Sequence, residues 1–375
     1  MKNIGIILLV FAIIRAAVSL INLLWKQITD MILTKYSRQY TSFGDNLPFS
    51  WSILIPARNE EKNIALLLGD IVRMRYQPQE IVIYDDNSTD NTSEIANLFT
   101  PHLPQLKIIK GTKEPTEGWL GKAHACHTMG VKAKGKYLLF LDADVRLFGE
   151  IEPTYLHYAH KRELSLLSLF PFQITETKEE RNTVPVMNWI LLSLLPLPLI
   201  RYSSFSSLAA ANGQFMLFRK DHYLKTLPHS RFRGSHAEDI EISRYFKKQR
   251  LRTETLCSNK TVACRMYHSS GEAVEGFSKN VLHFFGNSAT AAILFSLTTT
   301  LSPLYILIIN GFTLFALYIA TALTIRIATS ATSGKPWYDS ILNSLQLQIN
   351  FVTMIVRAIN NRKKQQLIWK GRNIY

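Results

Sequence analysis

Apolar residues in this chain follow two different rhythms. Near the ends they form long, nearly unbroken runs, and in the middle they form short runs that each stop at a polar cluster. Residues 4–25 (IGIILLVFAIIRAAVSLINLLW) form an apolar segment broken by Arg15, its one charged residue, and that length suffices for a helix crossing a hydrocarbon layer of about 30 Å. A secretory leader has a shorter apolar run and a small-residue cleavage site, so the segment reads as an anchor. Between Lys279 and Arg326 the chain has no Asp, Glu, Lys or Arg. Residues 288–325 accordingly read as two spans joined as a hairpin, turning between Ser302-Pro303 and Asn310-Gly311. A third block, 341–358, carries more polar groups and fits either a span or an interfacial amphipathic helix.

The middle of the chain alternates strand and helix patterns. Trp51–Ile55, Glu80–Tyr84, Leu106–Ile109 and Tyr137–Leu141 are short apolar runs with strand character. Helical periodicity separates them over 60–76, 92–100 and 121–134. Such alternation predicts an α/β domain with a mostly parallel central sheet and helices on both faces. In such sheets ligands bind beyond the carboxyl ends of the strands. The polar clusters Arg58-Asn59-Glu60, Asp85-Asp86 and Asp142/Asp144 fall at those ends.

Composition adds two facts. Lys+Arg of 43 against Asp+Glu of 28 gives a net charge of +15, while 47% of residues are hydrophobic. Basic and aromatic residues do not interleave along a soluble stretch, so nucleic acid is excluded as a partner. The charge instead fits a surface facing anionic lipid. Little charge precedes the first span, while Lys26, Lys35, Arg38 and the basic tail after 357 flank the others. The positive-inside rule then puts the central domain and the tail on the cytoplasmic side of a multi-pass protein of the cell's inner membrane. Cys126, Cys257 and Cys264 form no CxxC pair and outline no disulfide or zinc framework.

The first turn, PARNEE, lacks the glycines of a dinucleotide site, and Gly118-Trp119-Leu120-Gly121-Lys122 lacks P-loop spacing. The turns carry acid instead. Asp142-x-Asp144 after a strand places two carboxylates close enough to favour a divalent cation shared with a diphosphate; the plain alternative is a turn or cap pair. Asp85-Asp86-Asn87-Ser88-Thr89-Asp90 holds either an Asx turn capped by Ser88 or Asp90, or acids free to accept from a base N–H or a ribose hydroxyl. Glu238 and Asp239 open an amphipathic helix, where acids are ordinary first-turn residues.

The ordered set IPARNEE (55–61), DDNSTD (85–90), GWLGKAHA (118–125), DADVR (142–146), NGQFMLFRK (212–220) and AED (237–239) resembles the family 2 glycosyltransferases of GT-A fold. Downstream, Arg265-Met266-Tyr267, Glu275–Asn280 and Trp369-Lys370-Gly371-Arg372 are similar to a membrane-attached subgroup. That subgroup includes the diaponeurosporenoate-type carotenoid and hopene-associated glycosyltransferases. The resemblance implies an N-terminal anchor over 1–28, a cytosolic GT-A catalytic domain over 29–285, a membrane hairpin over 286–326 and an interfacial or spanning helix with a basic tail over 327–375. It implies that Asp86, with Asp85, reads uracil, that Pro56, Arg58 and Glu60 line the nucleoside pocket, and that Lys122 approaches the phosphates or sugar. Asp142 would lie on the ribose side and Asp144 would ligate Mn²⁺ or Mg²⁺, with Asp142 its partner in the metal motif. Gly213 would allow close approach of the donor sugar, Arg265 would offer a cation to the leaving diphosphate, and Asp239 would be the catalytic base.

Processive members carry Gln-x-x-Arg-Trp after the base, whereas here the region reads Cys264-Arg265-Met266-Tyr267. The expectation is therefore a non-processive hexosyltransferase using a UDP-sugar. Residues 184–200 form an apolar stretch between the metal motif and the base, fitting either core or an interfacial lipid entrance. The expected acceptor is a lipid of the bilayer, such as a carotenoid or triterpenoid hydroxyl or carboxyl. The competing acceptors are a polyprenyl phosphate and a sphingolipid or glycerolipid head group. A nucleotidyltransferase would share fold and metal but attack the α-phosphate, and a non-catalytic scaffold would not need Asp86, Asp142, Asp144 and Asp239. The oligomeric state does not follow from the sequence.

Overall fold

In the computed structural model, strand β1 (Trp51–Ala57) is buried on both faces. Residues 2–40, 49–111, 118–149 and 152–364 are described, with the strand pairs 368–369 and 372–373. Lys370 and Gly371 of the basic tail lie outside them. The chain divides into two units, residues 28–172 with 199–264, and residues 1–27 with 173–198 and 265–375.

In the first unit, β2 (Glu80–Asp85), β3 (Leu106–Lys110), β4 (Tyr137–Leu141), β5 (Val145–Leu147), β6 (Leu166–Phe170), β7 (Phe172–Gln173), β8 (Phe215–Arg219), β9 (Thr253–Cys257) and β10 (Val262–Cys264) follow β1. Seven of the ten make one sheet in the order β3-β2-β1-β4-β8-β6-β9. Side chains alternate between its faces. Ile53, Ile55, Leu139, Leu141 and Leu217 join the core under the helix Ile64–Val72. Leu54, Leu138, Phe140, Met216 and Phe218 join the core on the other side, with the helices Gly121–Lys132 and Glu238–Lys248. Strands covered on both faces read as continuous apolar runs, which is why the sequence shows no in–out alternation.

The sheet is parallel except at β8, which runs antiparallel to β4 and to β6. This reversal decides the site. Leu141 pairs with Phe215, so the residues before β8 lie at the same sheet edge as the residues after β4.

The short strand β5 pairs antiparallel with β10 and is tied to Asp70 in the helix Ile64–Val72. The wholly buried Asp70 carboxylate accepts from Arg146 Nε at 2.6 Å and Nη2 at 3.0 Å, and from the Leu147 backbone N–H at 3.0 Å. The Arg of the DADVR motif thus locks the chain leaving the Asp142–Asp144 turn.

The second unit contains the apolar helices. Lys2–Gln39, Ala289–Asn310 and Phe312–Thr332 are each long and apolar enough to cross a membrane. Gly311, with φ of 87°, joins the last two, at the end of the interval expected for the turn. Pro303 lies within its helix. The expected boundaries need correction at three places. The first helix runs to Tyr40 rather than ending near 25–28, because beyond the unit boundary Leu33 is buried in the first unit's core. The second hairpin helix ends at Thr332, past 326. The domain expected over 29–285 is interrupted, since 173–198 and 265–285 belong with the apolar helices.

The reason is packing. Residues 184–200 form two short helices, Pro185–Leu194 and Pro198–Tyr202. Val186, Trp189 and Ile190 of the former share one buried cluster with Ala273 and Phe277 and with Phe351 and Met354 of the helix Ser344–Lys364. Within this unit Val184, Val186, Trp189 and Ile190 are core.

Asp70→Ala would leave Arg146 uncompensated beside a buried backbone N–H, a loss of about 3 kcal/mol. In detergent the chain should melt roughly 5–10 °C lower, while an unchanged midpoint would show that Asp70 does not hold β5.

Candidate active site

Two loops at the carboxyl ends of β1 and β2 are joined side by side. Asn59 and Asn87 take left-handed φ values of 52° and 53°, a region Asn tolerates better than most residues. Asn59 N–H donates to Ser88 Oγ at 3.0 Å, Thr89 N–H to Asn59 Oδ1 at 2.8 Å, and Glu60 N–H to Thr92 Oγ1 at 2.8 Å. Asp90 accepts from the N–H groups of Thr92 and Glu61, both at 3.1 Å, the capping role the sequence offered to it or to Ser88.

Asp85 accepts from Ser88 N–H at 2.9 Å and from the Ser93 hydroxyl. Its carboxylate therefore builds the turn instead of facing a ligand. Asp86 lies against Arg58, whose Nη1 is 2.6 Å from the Asp86 carbonyl and 3.7 Å from its carboxylate. Pro56 pairs across to Tyr84 in the β1–β2 register. These residues form one wall.

A second cluster lies where β4 ends and β8 begins. The Asp142 N–H donates to Gln214 O at 3.3 Å. Lys122, in the first turn of the helix Gly121–Lys132, places Nζ at 2.7 and 2.8 Å from the two Asp142 oxygens and 3.7 Å from Glu238. Asp239 Oδ2 accepts from Gly213 N–H at 2.9 Å and Oδ1 from Ile240 N–H at 2.8 Å. Its carboxylate is thus aimed by two backbone donors. A Cβ placed on Gly213 would stand 3.1 Å from Lys122 Nζ and 3.7 Å from Asp239 Oδ2. Lys122 and Asp239 thus both approach Gly213, and a side chain there would crowd the lysine.

Asp144 accepts from the Gln214 amide at 3.2 and 3.3 Å, and Gln214 Oε1 in turn accepts from the Cys264 thiol at 3.2 Å. Gln214 carries a role the sequence reading did not assign. It stands inside the motif NGQFMLFRK, but only the fold shows that its amide meets Asp144.

Asp142, Asp144, Glu238 and Asp239 thus gather around Lys122, with Glu60 acting on Asp144. Burial first, then the charges of Asp142 and Glu60, push Asp144 up to about 7 against the Gln214 hydrogen bond. Burial also raises Glu238 to about 7, with Lys122 pulling down and Asp239 and Asp142 pushing up. Asp239 is raised by burial against the pull of the Ile240 and Gly213 N–H groups and Lys122. Burial works against the Lys122 charge, yet Asp142 and Glu238 hold it above the ordinary lysine value. Carboxylates destabilised by one another favour a cation.

Among the described residues no three His, Cys, Asp or Glu side chains are grouped to hold a metal by themselves. A divalent ion here fits Asp144 with Asp142 and leaves coordination positions for phosphate oxygens, the arrangement such ions take with one or two carboxylates and a substrate's phosphates. Arg265 is placed otherwise. It belongs to the other unit, where Glu176 at 2.5 Å and Glu180 at 2.7 Å hold its guanidinium.

Residues 52–227 match the family described as glycosyl transferase family 2. The match covers 176 of the chain's 375 residues, a little under half, and over that stretch the chain is similar to the family. Lys122, the metal motif and Gly213 fall inside the match, and Asp239 lies beyond it. The chain is 26% identical over 242 residues to a 4,4'-diaponeurosporenoate glycosyltransferase of Staphylococcus haemolyticus (strain JCSC1435), covering 62% of this chain and 61% of that protein. It is 28% identical over 239 residues to the protein of that name in Staphylococcus aureus (strain USA300), covering 61% and 60%. The chain thus matches about three fifths of these relatives' length. Among solved structures it is similar to the mannosyltransferase PcManGT from Pyrobaculum calidifontis in complex with GDP-Man and Mn²⁺, at TM-score 0.46 and 15% identity over 94% of this chain and 99% of that one. It is also similar to S. aureus TarS 1-349 in complex with UDP, at TM-score 0.40 and 15% identity over 86% and 95%.

The approach of Lys122 and Asp239 to Gly213 gives a test. Its φ is not in the positive region, and the nearest obstacle to a side chain is the flexible end of a lysine. Gly213→Val should therefore leave the melting midpoint within a few degrees. Sugar transfer should drop at least tenfold, roughly the effect of 1.4 kcal/mol on the barrier. Equal turnover would show that no substrate passes between Lys122 and Asp239.

Proposed function

We propose that this chain moves one hexose from a UDP-sugar to a membrane lipid, a carotenoid or triterpenoid hydroxyl or carboxyl, with inversion and without processivity. The observation that carries this reading is the Asp239 carboxylate, oriented by Gly213 and Ile240 N–H groups and facing Gly213 together with Lys122, which Asp142 holds. The three long apolar helices support an acceptor drawn from the bilayer, and the names of the curated relatives point the same way.

In this mechanism Asp86 and the Arg58–Glu60 loop bind the uracil and ribose end of the donor, and Asp142 holds Lys122 toward the diphosphate. Asp144, with Asp142, would hold Mn²⁺ or Mg²⁺; such an ion, when bound, neutralises charge on the leaving diphosphate. Asp239 takes the proton from an acceptor hydroxyl as its oxygen attacks the anomeric carbon on the face opposite the diphosphate. Burial raises its proton affinity, which suits that task. Gln214 keeps Asp144 in place. Arg265 is already balanced by Glu176 and Glu180 and has no part in this scheme. The charge pattern around the apolar helices supports a cytoplasmic side for the catalytic unit.

The test compares lipid extracts, by mass spectrometry, from carotenoid-producing cells expressing the wild type or Asp239→Asn. The wild type should yield a lipid heavier by one hexose, and the variant at least about 10²-fold less of it. Undiminished product in the variant would remove Asp239 as the base. Such a result would also fit an acceptor carboxylate, which has no proton to lose. A wild type that hexosylates no lipid would overturn the lipid acceptor.

A further inference from the structure

Arg15 sits in the first apolar helix and is only 4% exposed. Its Nε and Nη2 donate to Ser193 Oγ at 3.2 and 2.8 Å. Its guanidinium carbon lies 4.7 Å from the ring centre of Phe295 and 4.8 Å from that of Trp189. A second arginine reaches the same indole. Arg326, in the helix Phe312–Thr332, stands 5.3 Å from the Trp189 ring centre and donates to Ser344 O at 3.2 Å. The two charged carbons are therefore within about 10 Å of each other. Among the described residues neither arginine forms an ion pair, and one hydroxyl and one carbonyl are the acceptors they meet.

The depth of the pair is also defined. Asn310 Nδ2 donates to Lys2 O at 3.0 Å, so the first helix starts beside the hairpin's turn. Counting from there at 1.5 Å per residue, Arg15 and Arg326 both lie about 20 Å along their helices. In a hydrocarbon layer of about 30 Å this is about 5 Å past the middle, on the side away from the turn. The helix Pro185–Leu194, which supplies Trp189 and Ser193, has 10 residues and is too short to cross.

Cation–π contact offsets part of the cost of a buried guanidinium. It does nothing for the repulsion between two guanidiniums drawn to one ring. In a membrane the counter-charge that local thinning of the bilayer can bring to arginines at this depth is a lipid oxyanion, and basic pockets between spanning helices recognise such head groups. Resting on the reading that these helices span a membrane, we infer that Arg15, Arg326, Trp189 and Ser193 form a binding site for the phosphate or carboxylate of an anionic lipid. The ring stacks one face of each guanidinium, leaving N–H donors for the oxyanion, and Ser193 fixes the Arg15 fork.

The experiment uses the full chain, purified in neutral detergent, with native mass spectrometry after addition of phosphatidylglycerol, palmitate or phosphatidylcholine. The wild type should retain one phosphatidylglycerol with at least about fivefold preference over phosphatidylcholine, the effect expected for one basic contact. Arg15→Met and Arg326→Gln should each remove that preference. Palmitate retained as strongly would assign carboxylate recognition, and phosphatidylglycerol alone would assign the phosphate. Should a variant fail to fold, tryptophan quenching by brominated phosphatidylglycerol replaces it. That quenching should exceed the effect of brominated phosphatidylcholine in the wild type and lose the excess in Trp189→Phe. No preference in the wild type, or a preference untouched by the substitutions, would overturn the site. Neither result depends on sugar transfer, so the site can fail while the proposed activity stands.

Discussion

The ion pair between Lys122 and Asp142, 2.7 Å apart, is the interaction around which the rest of the site is arranged. It joins the helix after the β3 region to the end of β4, at the middle of a group of carboxylates that would otherwise repel one another. Glu238 reaches the same lysine at 3.7 Å, and Asp239 is held one residue further along by the Gly213 N–H. One lysine does not balance Glu60, Asp142, Asp144, Glu238 and Asp239, so burial leaves Asp144 and Glu238 with pKa values near 7. An active site with an excess of buried carboxylate favours both a divalent cation and a substrate whose phosphates share it.

This arrangement depends on the one reversal in the sheet. Because β8 is antiparallel to β4, Asn212-Gly213-Gln214 enters at the edge where Asp142 and Asp144 leave. The short chain between β8 and the helix Glu238–Lys248 then brings Asp239 back to the same place. The sequence showed the alternating strands, the acidic strand ends and the acids of the AED motif, because these are local patterns of apolar run and polar stop. It did not show the direction of β8, since FMLFR is apolar in either direction and only its neighbours decide it.

Other features were hidden for the same reason. Arg146 reads in sequence as part of a motif with the metal acids, whereas the fold turns it to Asp70, a residue in a helix far back in the chain. Asp85 looks as available as Asp86 until Ser88 and Ser93 are seen to fill its carboxylate. Residues 173–198 lie between catalytic elements in sequence yet belong with the apolar helices, because Trp189 and Ile190 find their partners on the helices Ser270–Asn280 and Ser344–Lys364. The lengths and positions of the apolar runs, in contrast, were plain, since crossing length needs no tertiary information.

On the proposed function, Asp142 and Asp144 would take a divalent cation together with a donor's diphosphate. Calorimetric titration of the purified chain with UDP, in Mn²⁺ and then in EDTA, tests it most directly. The account predicts UDP binding that weakens at least about tenfold when Mn²⁺ is removed, and an Asp144→Ala variant in which Mn²⁺ makes no difference. Equal affinity in EDTA, or an Mn²⁺ effect preserved in Asp144→Ala, would contradict it.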